Sequence, residues 1–342
     1  MTLRVGLIGC GGMAGAHLTG WLPEQEKGRA TITAISDVND DAIARVKKQV
    51  PEAKVYKDFA ALIREAPVDA VDIMLPHSLH LAAILAAVEA GKHWLCEKPL
   101  CMTLDEAKRI ESAMANAKGL VGMSAHNQLH MASIQEARRL IEQGALGRVY
   151  LVNTNDCFLM SDLEPGALLG SKGRTAIQPG TWRNDPKQMG GGELIDTGYH
   201  PSYLITFLAG AEPVHVDAVI GKYRHAHFHS EDTATVLIRY ANGVTGLVRT
   251  SWAIEQPIGQ YPFHVVGERG ELYGNWRSLF FKPSRFTEPA RWDFEQRGSF
   301  ESEVQHFVDC ILDGAPCISP YQQGITVLKL ILAAYESARR KQ

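Results

Sequence analysis

Four short stretches of the chain carry residue types and spacings that could do chemistry. The first follows an apolar run, Leu3 to Ile8, and reads Gly9-Cys10-Gly11-Gly12-Met13-Ala14. In this G-x-G-x-x-A form, Gly9 permits a tight turn, Gly11 lets a phosphate approach the backbone, and Ala14 lets a following helix lie close to a sheet. A helix opening there aims its unpaired N–H groups and the positive end of its dipole at the phosphates. Glycine-rich turns are common, so context has to strengthen the reading. Residues 31–37, Thr-Ile-Thr-Ala-Ile-Ser-Asp, supply it. A β-branched run ends in Asp37, about 20 residues past the turn, where a carboxylate accepts hydrogen bonds from an adenosine ribose. Strand, turn, helix, strand and acid in that order indicate a dinucleotide site. The negative charge of Asp37 would repel a 2′-phosphate and so favours NAD over NADP. The plainer reading of Asp37 is as a cap for a helix starting near Asn39.

The other three stretches suit acid–base work beside such a site. Cys96-Glu97-Lys98-Pro99 closes a predicted strand, and ligands of open α/β sheets bind outside strand carboxyl ends. Lys98 is thereby directed toward the nicotinamide, with Pro99 fixing the local backbone. Pro76-His77-Ser78-Leu79-His80 forms another loop at a sheet end. Gly190-Gly191-Gly192-Glu193-Leu194-Ile195-Asp196-Thr197-Gly198-Tyr199-His200 places Asp196 and His200 four apart, neighbours on one face if the segment is helical. A carboxylate orients an imidazole and supports its protonated form, and histidine titrates near neutral pH. Each stretch also has an unremarkable reading. A strand-end lysine usually sits in water, and Asp196 with His200 could be an ordinary helix pair. Ser78 would cap a helix beginning at Leu79, and His80 would pack on that helix without touching a cofactor.

The elements that must position these residues divide the chain in two. Through residue 125, strand-like segments at 3–8, 31–36, 53–56, 70–75, 93–96 and 120–125 alternate with helical ones near 12–21, 40–49, 58–65, 79–90 and 103–117. That alternation predicts a parallel sheet covered on both faces. Gly91 is a left-handed stop for the fourth helix, and Thr103 with Glu106 forms a capping box for the fifth. After Gly147, strand composition recurs at 148–158, 212–222, 232–241, 244–252, 261–267, 270–275 and 278–282, with an Asn242-Gly243 hairpin turn. Helices near 300–313 and 321–340 finish the chain. The predicted class is α/β: residues 1–125 form a Rossmann dinucleotide-binding domain, and 126–342 form a second domain with a separate, mostly antiparallel sheet.

Composition narrows the partners. The chain has 342 residues, 45% hydrophobic and 21% charged, with a net charge of −3. That balance gives no electrostatic case for nucleic acid or an anionic membrane. No apolar run approaches the roughly 20 residues of a membrane span, and no signal-peptide pattern precedes the first strand. Six cysteines without a C-x-x-C pair suit reduced thiols in a cytoplasm, and Cys10 reads as a small filler in the turn. His225-x-His227-x-His229 puts imidazoles on one side of an extended segment, but Arg224 and its polar flanks read as a loop, so no metal is expected.

Taken together, Gly9-x-Gly11-x-x-Ala14, Asp37, Pro76-x-x-x-His80, Glu97-Lys98-Pro99, and Gly190-Gly191-Gly192 leading to Asp196-x-Gly198-x-His200 make the whole chain resemble the Gfo/Idh/MocA oxidoreductase family. Glu231-Asp232-Thr233-Ala234 and Glu336-Ser337-Ala338 also look like the family. The resemblance implies a Rossmann domain followed by a domain with a large open sheet used for homodimer or homotetramer contacts. It also implies hydride transfer at a secondary alcohol of a sugar, anhydrosugar or cyclitol. Cofactor contacts carry over to Gly9, Gly11, Gly12, Met13, Ala14, Asp37, Pro76, His77, His80, Glu97 and Lys98. The catalytic roles carry over to Lys98 and His200, with Asp196 assisting; His200 is favoured as base and Lys98 as the cation on the substrate oxygen. Two alternatives stay open, an enzyme that retains its NAD through a redox-neutral cycle and a non-catalytic sugar sensor. The catalytic residues count against the sensor. The chain departs from the pattern at His126-Asn127-Gln128-Leu129-His130, where many relatives carry an Arg-Phe pair after the Asn. A long segment, 158–189, contains Lys172, Arg174, Gln178, Trp182 and Arg183. Substrate contacts are therefore expected at Asn127, Trp182, Arg183, Asp196 and His200, with Trp182-Arg183 either on a sugar ring or anchoring a solvent loop.

Overall fold

The computed structural model describes residues 1–160, 182–225, 228–256, 259–295 and 297–340. The first elements are β1 (Leu3–Ile8), α1 (Gly12–Glu26), β2 (Ala30–Ser36), α2 (Asp40–Lys47), β3 (Lys54–Tyr56), α3 (Phe59–Glu65), β4 (Ala70–Ile73), α4 (His77–Glu89), β5 (His93–Cys96), α5 (Leu104–Ala115) and β6 (Gly122–Ser124). The six strands form one sheet in the order β3-β2-β1-β4-β5-β6, and every neighbouring pair is parallel. Buried on both faces, β1 and β4 are almost continuously apolar, as parallel strands must be. Local signals set several boundaries. The Asn39 side chain caps α2 by accepting from the Ala42 amide, and Thr103 and Glu106 complete their reciprocal cap on α5. One expected boundary is corrected: α4 begins at His77 with Pro76 as its N-cap and no side-chain cap, so Ser78 lies inside the first turn. The Pro76 carbonyl accepts the Leu79 amide at 2.9 Å, so a backbone oxygen serves the first turn in place of a hydroxyl.

The second half contains α6 (Ala132–Glu142), β7 (Val149–Cys157), α7 (Pro186–Met189), α8 (Glu193–Asp196), α9 (Tyr199–Ala209), β8 (Pro213–Gly221), β9 (Thr233–Tyr240), β10 (Thr245–Ser251), β11 (Phe263–Gly267), β12 (Gly270–Gly274), β13 (Ser278–Pro283), β14 (Ala290–Asp293), α10 (Ser299–Leu312) and α11 (Tyr321–Arg340). Eight strands form a second sheet, β14-β13-β12-β11-β7-β10-β9-β8. Only β7 with β10 is parallel; the other six pairs are antiparallel. The β9–β10 hairpin turns at Asn242-Gly243, with Gly243 at φ 84°. Along β9 burial alternates residue by residue, which is the signature of a sheet covered on one face. The other face presents a row in direct register across six strands: Leu237, Leu247, Asn153, His264, Tyr273 and Phe280.

Two compact units emerge, residues 1–131 with 297–325, and residues 132–296 with 326–342. The sequence reading set its single boundary near residue 125. In the first unit α10 packs on α1: Val304, Phe307 and Val308 share a core with Ala14, Leu18 and Trp21, and the Trp21 and Phe307 rings meet edge-on at 6.2 Å. Among the described residues no helix is long and apolar enough to cross a membrane.

Candidate active site

In the first unit the glycine turn has the backbone that a phosphate cradle requires. Gly9 has φ +99°, and a Cβ there would stand 2.5 Å from the Met74 carbonyl oxygen, so both conformation and space exclude a side chain. A Cβ at Gly11 would meet no atom within 4 Å. Gly11 is also the N-cap of α1 and gives it no side-chain cap. The space at the start of α1 is thus open, with the helix dipole behind it, the surroundings a pyrophosphate needs. Asp37 stands beside this turn. Its Oδ2 accepts the Cys10 amide at 2.7 Å and its Oδ1 the Asn39 amide at 2.8 Å. Asn39 is the cap of α2, and Asp37 instead joins the turn to the chain after β2. Each carboxylate oxygen has a second lone pair. Burial, with the Asp37 charge next, pushes the Cys10 thiol up to about 12, which disfavours the reactive thiolate.

The lysine stretch rests on a buried polar cluster. His17, on α1, lies between two acids: Nδ1 is 2.8 Å from Asp72 Oδ2 and Nε2 is 3.1 Å from Glu97 Oε1. Asp72 also accepts the Trp21 indole N–H at 2.7 Å, and Glu97 Oε2 accepts the Lys98 backbone N–H at 3.0 Å. His17 and Asp72 are wholly buried. Burial alone would lower the imidazole pKa, but Asp72, then Glu97, outweigh it and hold the ring well above its ordinary value. Glu303 of α10, also buried, has its pKa raised by burial, with the nearby Glu97 and Asp72 charges adding to it. His80 is buried too, its ring nitrogens 2.7 Å from the carbonyl oxygens of Pro99 and Leu75. It ties the loop after β4 to the loop after β5, while His77 is buried at the start of α4. The Lys98–Pro99 peptide bond is cis, and the Lys98 side chain is half-buried. Asn127 lies in a short 3₁₀ turn, Asn127–His130, and donates to Ser299 Oγ at 2.9 Å.

In the second unit the glycine run is held by residues that spacing alone does not reveal. The Tyr335 hydroxyl accepts the Gly192 amide at 3.2 Å and donates to Glu231 Oε1 at 2.6 Å. The same oxygen accepts the Leu194 amide at 3.0 Å. A Cβ at Gly192 would stand 2.5 Å from the Glu231 backbone and side-chain oxygens, so only glycine fits this approach. Glu193, fully buried, accepts the hydroxyls of Thr197, at 2.9 Å, and Thr250, and burial lifts its pKa well above the carboxylate range. The Trp252 indole donates to Thr197 Oγ1 at 2.6 Å.

The expected single helix through Asp196 and His200 is not formed. Asp196 ends α8, and His200 is the second residue of α9, because the chain breaks at Thr197-Gly198. Asp196 is buried and accepts Arg183 Nε at 2.9 Å. Arg183 in turn stacks on Trp182, its guanidinium carbon 4.6 Å from the ring centre, and Trp182 packs against Met160, Met189, Phe228 and Trp252. His200 Nδ1 shares a 2.8 Å hydrogen bond with the Tyr203 hydroxyl. Three residues expected to meet substrate, Trp182, Arg183 and Asp196, thus form one connected group. Lys172, Arg174, Gln178 and His227 lie outside the described residues. Of the remaining histidines in the tract, His225 is buried against the Trp252 carbonyl, whereas His229 is exposed.

A parallel sheet with a phosphate-type turn, and a second unit built on a mostly antiparallel sheet, define a two-part α/β protein of nucleotide-binding class. The comparisons make it particular. Residues 3–141 match the oxidoreductase family with an NAD-binding Rossmann fold, and residues 134–273 match the GFO/IDH/MocA C-terminal domain. The chain is 32% identical over 321 residues to inositol 2-dehydrogenase 2 of Saccharopolyspora erythraea, covering 90% of this chain and 85% of that one. It is 24% identical over 361 residues to myo-inositol 2-dehydrogenase of Thermotoga maritima, covering 99% and 97%. The structure of levoglucosan dehydrogenase with NADH and levoglucosan has the same fold, with TM-score 0.86 at 23% identity over 100% of this chain and 98% of that one. The chain belongs to the Gfo/Idh/MocA oxidoreductase family.

Proposed function

We propose that this protein is an NAD-dependent dehydrogenase acting on a secondary hydroxyl of a sugar, anhydrosugar or cyclitol. The observation that carries the reading is the anchored lysine stretch, at the carboxyl end of a strand in a sheet whose first turn has the backbone of a pyrophosphate cradle. Gly9, Gly11, Gly12, Met13 and Ala14 would hold the phosphates, with the loop residues Pro76, His77 and His80 and the stretch Glu97-Lys98 bordering the nicotinamide side. Asp37 would receive the ribose hydroxyls, and the exposed Val38 beside it offers an apolar surface to the adenine. When bound, NAD supplies the hydride acceptor. His200 removes the hydroxyl proton. With Nδ1–H donating to Tyr203, the basic lone pair is on Nε2. Lys98 stabilises negative charge developing on the substrate oxygen, and Asp196, with Arg183 and Trp182, shapes the sugar-facing wall. The test is a panel of sugars and cyclitols with NAD at alkaline pH, read as NADH absorbance. Stoichiometric NADH supports the dehydrogenase, and turnover without NADH accumulation overturns it in favour of a retained cofactor.

Cofactor choice is tested at Asp37. Asp37→Asn keeps an acceptor for one backbone amide but loses the charge. Losing a charge-assisted ribose bond, worth ~1.5–3 kcal/mol, should shift the ratio of kcat/KM for NAD over NADP toward NADP by about tenfold or more. An unchanged ratio removes Asp37 from the ribose site. The outward row of the large sheet, with Leu237 48% and Leu247 37% exposed, supports assembly of identical copies through this face. Light scattering should give a dimer or tetramer that Leu237→Glu with Leu247→Glu dissociates; a monomeric parent protein defeats the idea.

A further inference from the structure

Outside the residues assigned to hydride transfer, one group of side chains in the first unit has the chemistry of a metal site. His306 and Cys310 are one turn apart on α10, and Cys317 returns to them from the following loop. The imidazole nitrogen and the two sulfurs all lie within 4.8 Å of one another. His306 Nε2 is 3.4 Å from Cys310 Sγ. In a tetrahedral zinc site with Zn–S of ~2.3 Å and Zn–N of ~2.0–2.1 Å, adjacent nitrogen and sulfur ligands stand about 3.6 Å apart, so this edge needs almost no adjustment.

The three ligands are held by backbone, which matters because a site assembled from mobile loops loses affinity to ordering. Gly314, at φ 70°, reverses the chain after α10. The loop is pinned where the Ser319 carbonyl accepts the Ser124 amide at 2.9 Å, next to a bridge between Met123 and Pro320. The Ile318 amide donates to His306 Nε2 at 3.1 Å, so Nε2 carries the lone pair and Nδ1 the proton. Coordination would exchange that amide bond for the metal. Cys310 is 7% exposed while His306 and Cys317 are half-buried, so the group lies close to the surface.

We infer that His306, Cys310 and Cys317 form a binding site for one thiophilic divalent cation of the zinc class. Two thiolates and one neutral imidazole suit that borderline-soft ion better than magnesium or calcium, which prefer oxygen. The site is independent of the reading of the oxidoreductase reaction. The test is anaerobic titration of the reduced, metal-free full chain with Co²⁺, followed by displacement with Zn²⁺. One equivalent of cobalt should give sulfur-to-cobalt charge-transfer absorption, which zinc abolishes. Cys310→Ser and Cys317→Ser should each remove that absorption, and His306→Gln should weaken binding by roughly tenfold or more, with circular dichroism unchanged. Cys317→Ser, at the less buried position, keeps the test decisive should the Cys310 variant misfold. No charge-transfer band in the reduced protein, or a band that survives both serine variants, overturns the assignment.

Discussion

Lys98→Met should slow turnover at least ~100-fold while leaving NAD affinity within about threefold of the parent. The substitution keeps the length and apolar body of the side chain and deletes its charge. The backbone is expected to stay in place, because the Lys98 amide bonds Glu97 Oε2 and His80 holds the Pro99 carbonyl independently. What disappears is the cation proposed to face the substrate oxygen. The loss should therefore fall on kcat and kcat/KM together, as it does when an interaction is made only in the transition state. His200→Ala should produce a loss of similar size, partly reversed at higher pH, where hydroxide can replace the imidazole as base. Steady-state kinetics with titrated NAD binding measures both. Near-parental turnover in either variant strikes that residue from the mechanism.

His17→Leu should cost about 3–5 kcal/mol of stability, because it withdraws the one imidazole shared by two buried acids. Leucine fills much of the space, so the penalty is electrostatic. Among the described residues Asp72 keeps the Trp21 indole as a donor, and Glu97 keeps the Lys98 amide. The sign of the pH dependence follows from the direction of the His17 shift. A histidine whose pKa is raised on folding contributes fully below its unfolded value of about 6.5 and loses that contribution as pH climbs through the folded value. The gap between parent and variant should thus be widest near pH 6 and narrow toward alkaline conditions. Urea unfolding at several pH values measures it, and a loss below ~1 kcal/mol near neutrality contradicts the charged cluster.

The two sheets were legible because their periodicities are local. Continuous apolar runs mark β1 and β4, alternation marks β9, and Asn242-Gly243 marks the hairpin between β9 and β10. The segment Ala132–Glu142 was passed over although Ile134, Ala137 and Leu140-Ile141 fall at helical spacing, and β14 was missed because Ala290–Asp293 is short and exposed. At the site, Asp37, Lys98 and His200 could be named from motifs. Their supports could not, since His17 with Asp72, or Gly192 with Tyr335, are distant in sequence and meet only after folding. The same limit hid the break at Thr197-Gly198. A four-residue spacing fits one continuous helix or two short ones equally well, and a glycine decides between them only once its neighbours are placed. The glycine run itself was read as a motif without a cause, and the approach of Glu231 to Gly192 supplies one.

The stretch that completes the first core arrives near the end of the chain. A ribosome has released all of β1 to β6 long before Val304, Phe307 and Val308 are synthesised, so Leu18 and Trp21 must wait, greasy and uncovered, through the emergence of some 170 intervening residues. A fragment cut after residue 131 would inherit that nakedness permanently. Anyone wishing to express the nucleotide-binding portion alone would have to graft residues 297–325 back onto it.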